Sequence, residues 1–235
     1  MLDKNKAADV FGKIKKYSSA DEVEALIYGG HSALTRFANN TIHQNVAEEN
    51  YVVSVRTAFD GRTARATTNK LDDESLQRVV AASEKLAKVQ HPDPDLLPMP
   101  EAGGGARSTQ TAPSRYFDET AAISPEQRAD AVKKIVGVAQ KHKLTTAGIF
   151  STSESVEGIF NSRGLGDWYS QTSSEVSVTM LAADSSGWQK ANSPNVSHLD
   201  AVTLAEIAAR KALESAGPRE IPAGKYAVIL EPAAV

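Results

Sequence analysis

The chain has 235 residues, 41% hydrophobic and 23% charged, with a net charge of −3 and no cysteine. Such a length builds one large domain or two ordinary ones around an adequate core, and the composition is that of a soluble globular protein. Without cysteine, disulfides, zinc ribbons and thiol catalysis are excluded within it; with no basic run beyond Lys15-Lys16 and Lys133-Lys134, nucleic-acid binding is not expected.

Residues 2–17 place Ala7, Val10, Phe11, Ile14 and Tyr17 on one face and lysines on the other, which predicts a helix. No apolar h-region follows the charged start, and no apolar stretch is long enough to span a bilayer. No signal peptide and no membrane contact are expected, and a cytoplasmic location is. Residues 21–28 read as a buried strand, Gly29-Gly30 as a turn, and 33–37 as a second strand. Asn39-Asn40 makes a further turn before a polar stretch containing His43. Residues 51–59 alternate, with Val53 and Val55 on one side and Ser54 and Arg56 on the other. Asp60-Gly61 then closes a tight hairpin onto 62–68. Asp72 caps a helix whose buried stripe is Leu76, Val79, Val80, Leu86 and Ala87.

Residues 91–115, with His91-Pro92-Asp93-Pro94, Gly103-Gly104-Gly105 and a Ser/Thr/Gln-rich run, read as a linker. Ser124-Pro125-Glu126-Gln127 is a helix start with a capping box, followed by the stripe Ala129, Val132, Ile135, Val136 and Ala139. Strands are predicted at 147–151, 156–160, 167–173 and 175–182, with a short return around Trp188. Asp200 caps a helix burying Leu204, Ile207, Ala208 and Ala212, and a continuously apolar strand is predicted at 224–230. An apolar strand so close to Val235 reads as the lead into further structure, so the sequence is expected to be the amino-terminal part of something longer.

The chain also repeats itself. A shift of 123 residues sets Phe37 on Phe160, Leu26 on Ile149, Val53 on Val176 and Val55 on Val178; between Asp72 and Asp200 the offset has grown to 128. Two copies are too few for a solenoid. The expected fold is α+β: two duplicated modules, each an antiparallel meander flanked by helices. The expected division is 1–90 for the first module, 91–115 for the linker, 116–217 for the second and 218–235 for the start of a third domain.

Motifs that carry chemistry are missing. His31, His43, His91, His142 and His198 form no His-Glu-x-x-His pattern, and Asp200 beside His198 is better explained as a helix cap. No Gly-x-Ser-x-Gly elbow occurs, Glu48 and Glu49 point to opposite faces of a strand, and Gly103-Gly104-Gly105 lacks the Lys-Ser/Thr of a phosphate loop. Trp168, Tyr169 and Trp188 form either an aromatic ligand platform or cover for the sheet's second face. The polar strand 170–177 either accepts an extended peptide at an open edge or lies in the sheet interior.

Phe37-Ala38-Asn39-Asn40, Val53-Ser54-Val55-Arg56, Asp60-Gly61-Arg62 and Leu71-Asp72-Asp73 together resemble the first domain of the TldD/PmbA family. Phe160-Asn161-Ser162-Arg163-Gly164 resembles its middle domain, and the run from Pro218-Arg219 through Gly224-Lys225-Tyr226 to Glu231-Pro232 resembles the junction into its third. The resemblance implies a metal-dependent peptidase acting on unfolded or extended peptides as a homo- or heterodimer of related subunits. It implies zinc in the TldD-type subunit, on a His-Glu-x-x-x-His pattern downstream of Val235, and none in the PmbA-type (TldE) partner, which Glu231-Pro232 resembles more. The family's older label is modulator of DNA gyrase. No position here matches the zinc motif, so the resemblance assigns no catalytic and no metal-ligating residue, and no cofactor, within this chain; substrate-binding residues stay unassigned. The alternative reading is a non-enzymatic binding or regulatory partner subunit.

Overall fold

A computed structural model describes residues 2–103 and 114–234. The first copy runs α1 (Lys4–Tyr17), β1 (Glu22–Ala38), β2 (Thr41–Phe59), β3 (Arg62–Thr68) and α2 (Asp73–Lys88). A short α3 (Asp118–Ala121) precedes the second copy: α4 (Pro125–Lys141), β4 (Thr145–Asn161), β5 (Gly166–Leu181), β6 (Ser186–Ser193) and α5 (Ala201–Glu214). The two meanders are not separate sheets. They join through β1 and β4 into one six-stranded antiparallel sheet of order β3-β2-β1-β4-β5-β6.

The repeat explains the joint. Both β1 and β4 have 17 residues, and Glu22 and Ala38 map onto Thr145 and Asn161 by the 123-residue shift. Because the two pair antiparallel, repeat-equivalent residues face each other at a single rung, His31 opposite Glu154. An approximate two-fold axis therefore passes there. The growth of the offset to 128 falls between sheet and last helix: β6 is one residue longer than β3, and the connection before α5 includes a 3-10 turn at Val196–His198. Insertion in a surface connection costs little.

All four long helices lie on one face of the sheet. α1 and α2 bury Ala7, Val10, Ile14, Leu76 and Val79 against Val23, Ala25, Ile27, Val53 and Val55. α4 and α5 bury Val132, Ile135, Leu204 and Ala208 against Phe150, Val176, Val178 and Met180. Each core also takes a phenylalanine from the other copy: Phe160 sits in the first, stacked on Phe11 at 5.9 Å, and Phe37 in the second. Antiparallel pairing of β1 with β4 carries the end of each strand across the axis, so neither core is complete within one copy.

Capping follows the sequence. Asp72, Asp200 and Ser124 accept from the first-turn amides, and Ser124 with Gln127 forms the full capping box. Asn39-Asn40 and Asp60-Gly61 have positive φ throughout, as tight hairpins require.

Several expectations are corrected. Gly29-Gly30 is not a turn: β1 runs through it, paired on both sides, with φ of 143° and 152°. A Cβ on Gly29 would lie 2.1 Å from the Asn50 carbonyl oxygen, and one on Gly30 1.9 Å from that of Glu154. The pair marks close approach of neighbouring backbones inside a strand. Likewise β4 runs through 152–155, β5 through Ser174, and β2 begins at Thr41 instead of Tyr51. Leu86 is exposed, and its place in the buried stripe goes to Ser83, bonded to Thr57 Oγ1 at 2.9 Å. Residues 224–230 form no strand; Val228 and Ile229 are exposed, because no described strand lies beside them to complete a ladder.

Part of the expected linker is fastened down. Asp93 N–H donates to Gly61 O at 2.8 Å, Met99 is buried with its N–H on Glu22, and Asn161 Nδ2 donates to Pro100 O at 2.8 Å. Residues 104–113 of that segment, with Gly104-Gly105 and most of the Ser/Thr/Gln run, lie outside the described residues.

Candidate functional site

Strand alternation decides what the second face of the sheet presents. With Ala25, Ile27, Val53 and Phe160 turned to the helices, their neighbours Leu26, Tyr28, Val52 and Ile159 turn away from them, onto a face no helix covers. On it Tyr28 pairs across to Glu157 and Glu157 to Tyr169, while Leu26 pairs to Ile159 and Ile159 to Asp167. These two rungs line an open groove of about 350 Å³. Tyr28 and Tyr169 keep 44% and 42% of their surface exposed, too much for core residues. Neither Glu157 nor Asp167 forms an ion pair among the described residues.

Of the three aromatic residues singled out in the sequence, Trp168 and Tyr169 both adjoin the groove and Trp188 stands apart. Trp168 packs against the first core on the helix side, Tyr169 lines the groove, and Trp188 stands on β6 with its indole N–H donating to Ser177 Oγ at 3.0 Å. Tyr28 joins Tyr169 only because β1 pairs with β4. No within-copy pattern signals that meeting.

On the helix side, the rung at the two-fold axis is polar: Glu49, His31, Glu154 and Thr172 follow one another across β2, β1, β4 and β5. The Tyr51 hydroxyl donates to Glu49 at 2.8 Å, and the Tyr116 hydroxyl to Glu154. Burial, reinforced by these carboxylates, pushes both phenols up to about 12. They are fixed donors at neutral pH, unsuited to proton transfer there.

Among the described residues, Arg128 is the largest fully buried side chain and forms no ion pair. It donates to Thr35 Oγ1, Asn45 Oδ1 at 3.2 Å and the Ile123 carbonyl at 3.2 Å, tying α4 to β1 and β2. Burial lowers its pKa. The signal for it was an arginine four residues before Val132 in the apolar stripe. In the first copy, Glu24 is clamped on the helix-free face between Arg65 at 2.7 Å and Arg56 at 3.2 Å.

The residues tested for chemistry fall apart. Asp200 accepts from Val202 and Thr203 as a cap, His198 reaches only Ser193 at 3.4 Å, and His43 is exposed. Glu48 accepts from Ser32 and Glu49 from Tyr51, on opposite faces. Strand 170–177 is divided: residues from Ser174 onward are interior, paired with β6, while Gln171 bridges to Arg115.

What these features offer is hydrogen-bond donors, carboxylates and an open groove. Family models place them: residues 23–87 match PmbA/TldA metallopeptidase domain 1, and residues 118–216 the PmbA/TldA metallopeptidase central domain. The chain belongs to the PmbA/TldD family. Among solved structures, TldE from Thermococcus kodakarensis is similar with a TM-score of 0.73 at 17% identity, over 88% of this chain and 47% of that one. A candidate modulator of a DNA gyrase from Thermotoga maritima gives 0.70 at 18%, over 93% and 49%, and one from Bacteroides thetaiotaomicron gives 0.72 at 16%, over 96% and 53%. The chain thus spans about half the length of these PmbA/TldD-type structures, and identities this low establish the shared fold. None of the curated proteins matches it. The family is one of metallopeptidases, yet no group of three or more His, Asp or Glu side chains among the described residues is placed to hold a metal, so the residues present do not fit one. No described helix is long and apolar enough to cross a membrane.

Proposed function

We propose that this chain is the amino-terminal part of a cytoplasmic PmbA/TldD-family peptidase subunit, which supports dimerisation and guides extended peptides to a zinc site carried elsewhere. In this reading residues 1–90 and 116–217 are the family's first and central domains, 91–115 connects them, and 218–235 leads into a third. The observation that carries the proposal is the helix-free sheet face, where Leu26, Tyr28, Ile159 and Tyr169 form an exposed apolar groove beside two carboxylates with no ion pair among the described residues. A patch of that kind on a soluble protein marks a surface that another chain covers. It opens to solvent across β1, β4 and β5, where a segment of another chain can lie.

Two measurements test it. The chain alone is expected to contain no zinc by elemental analysis and to cleave no unstructured peptide; stoichiometric zinc with cleavage overturns the reading. In sedimentation velocity the chain is expected to associate, with itself or with an added TldD-type subunit, and Tyr28→Glu/Tyr169→Glu to remain monomeric. Association unchanged by that substitution removes the role given to the groove.

A further inference from the structure

The repeat provides an internal comparison for the sheet edges. By the 123-residue shift, Glu48 and Glu49 of β2 stand where Gln171 and Thr172 stand in β5, and the strand pairings of the two copies keep that shift except at the β1–β2 bulge between Arg36 and Phe37. On β5, β6 covers only the stretch from Ser174 onward. Next to that stretch the edge is occupied at Gln171–Thr172: Arg115 bridges to Gln171 in the parallel sense, Thr172 N–H donates to Arg115 O at 2.9 Å, and Phe117 N–H donates to Thr172 Oγ1 at 3.1 Å.

On β2, β3 covers only Val53–Phe59. From Thr41 to Val52 the outer edge bears no strand or bridge among the described residues, and every residue from Thr41 to Asn50 is exposed. That edge is long and carries neither proline nor lysine, the usual blunting devices. Its charges are Glu48 and Glu49, neither in an ion pair among the described residues, and His43. In the occupied edge an arginine stands opposite Gln171; in the open one the residue at that place is Glu48.

We propose that the β2 edge from Thr41 to Val52 binds an extended, basic peptide running parallel to β2, in the way Ser114–Phe117 lies on β5. The Glu49 N–H takes the role of the Thr172 N–H, donating to a peptide carbonyl, and Glu48 faces a lysine or arginine where Arg115 stands in the second copy. This rests on the peptide-guiding role proposed above and adds to it a second surface and a substrate chemistry: chains bearing positive charge, held by main-chain hydrogen bonds.

The test is fluorescence anisotropy of the whole chain with labelled unstructured decapeptides, one carrying two arginines, one with both changed to glutamate, and one with alternate backbone nitrogens methylated in each register. The arginine peptide is expected to bind at least tenfold more tightly than the glutamate peptide, and methylation in one register to abolish binding. Glu48→Lys/Glu49→Lys is expected to reverse the charge preference, an outcome a misfolded variant cannot produce. Binding that ignores both methylation and the charge reversal but is lost in Tyr28→Ala/Tyr169→Ala overturns this proposal and leaves groove-guided peptide transfer standing. Absence of any binding overturns the edge site, while the subunit reading is judged by its own association assay. Self-association abolished by Glu48→Lys/Glu49→Lys, without peptide binding, assigns the edge to a second copy and likewise overturns it.

Discussion

The two halves of the sheet share one plan and differ at their outer edges and in their buried charges. The first half leaves the β2 edge open and holds Glu24 between two arginines on the helix-free face; the second covers the corresponding stretch of β5 with residues 114–117 and buries Arg128 under α4. Yet the cores are exchanged, since Phe37 belongs to the second and Phe160 to the first. The lesson is that duplication preserved what both halves need for stability, while positions that need serve only one half diverged.

The strongest way to break this comparison is through the exchanged phenylalanines. Phe160→Ala and Phe37→Ala are each expected to cost about 3–5 kcal/mol in urea unfolding, and the loss should appear in one cooperative transition. Two separated transitions, only one of them shifted, would show that the halves are independent and defeat the shared-core account. Gly30→Ala, one residue from the axis, is expected to cost about 2–4 kcal/mol through strain and overpacking; a cost below about 1 kcal/mol would mean that β1 and β4 separate easily there.

Glu24→Gln sharpens the contrast between halves. Its repeat equivalent is Ala147, so the second half offers no matching pair. The carboxylate is 6% exposed but its arginines are about a third exposed, and solvent reduces the loss to about 1–2 kcal/mol. Arg56→Met and Arg65→Met singly should each cost less than Glu24→Gln, because either arginine alone still pairs with the carboxylate.

The smallest expected effect is a pH dependence at the α1–α2 corner. Burial works to raise the Glu84 pKa, but the Ser19 N–H, the Ser18 and Ser19 hydroxyls and Lys88 outweigh it and hold the carboxyl below its ordinary 4.5. A depressed carboxylate stabilises the fold above its unfolded pKa, and that contribution disappears as pH falls through the lower folded value. Stability measured from pH 6 to pH 3 should therefore decline, and less steeply in Glu84→Gln. Equal slopes would remove the corner from the acid response.

Much of the local structure was legible. Asp72, Asp200 and the Ser124–Gln127 box sit at helix starts because capping is chemistry within four residues, and Asp60-Gly61 makes its hairpin for the same reason. Val53 and Val55 alternated visibly because a helix layer covers one side of β2 there. The first half of β2 gave no such signal: from Thr41 to Asn50 both faces and the outer edge meet solvent, so no burial period is imposed on the side chains. Gly29-Gly30 misled because glycine pairs most often mark turns, whereas here flanking strands on both sides hold the backbone extended.

The residue order alone determined the two-copy repeat, the helices with their caps and the strand character of the sheet segments, since these depend on spacing along the chain. Tertiary structure decided which copy's phenylalanine fills which core, which tyrosines line one groove and which sheet edge is open among the described residues. Those are products of antiparallel pairing between strands 123 residues apart, and pairing at that range is selected by burial of the face that the helices cover.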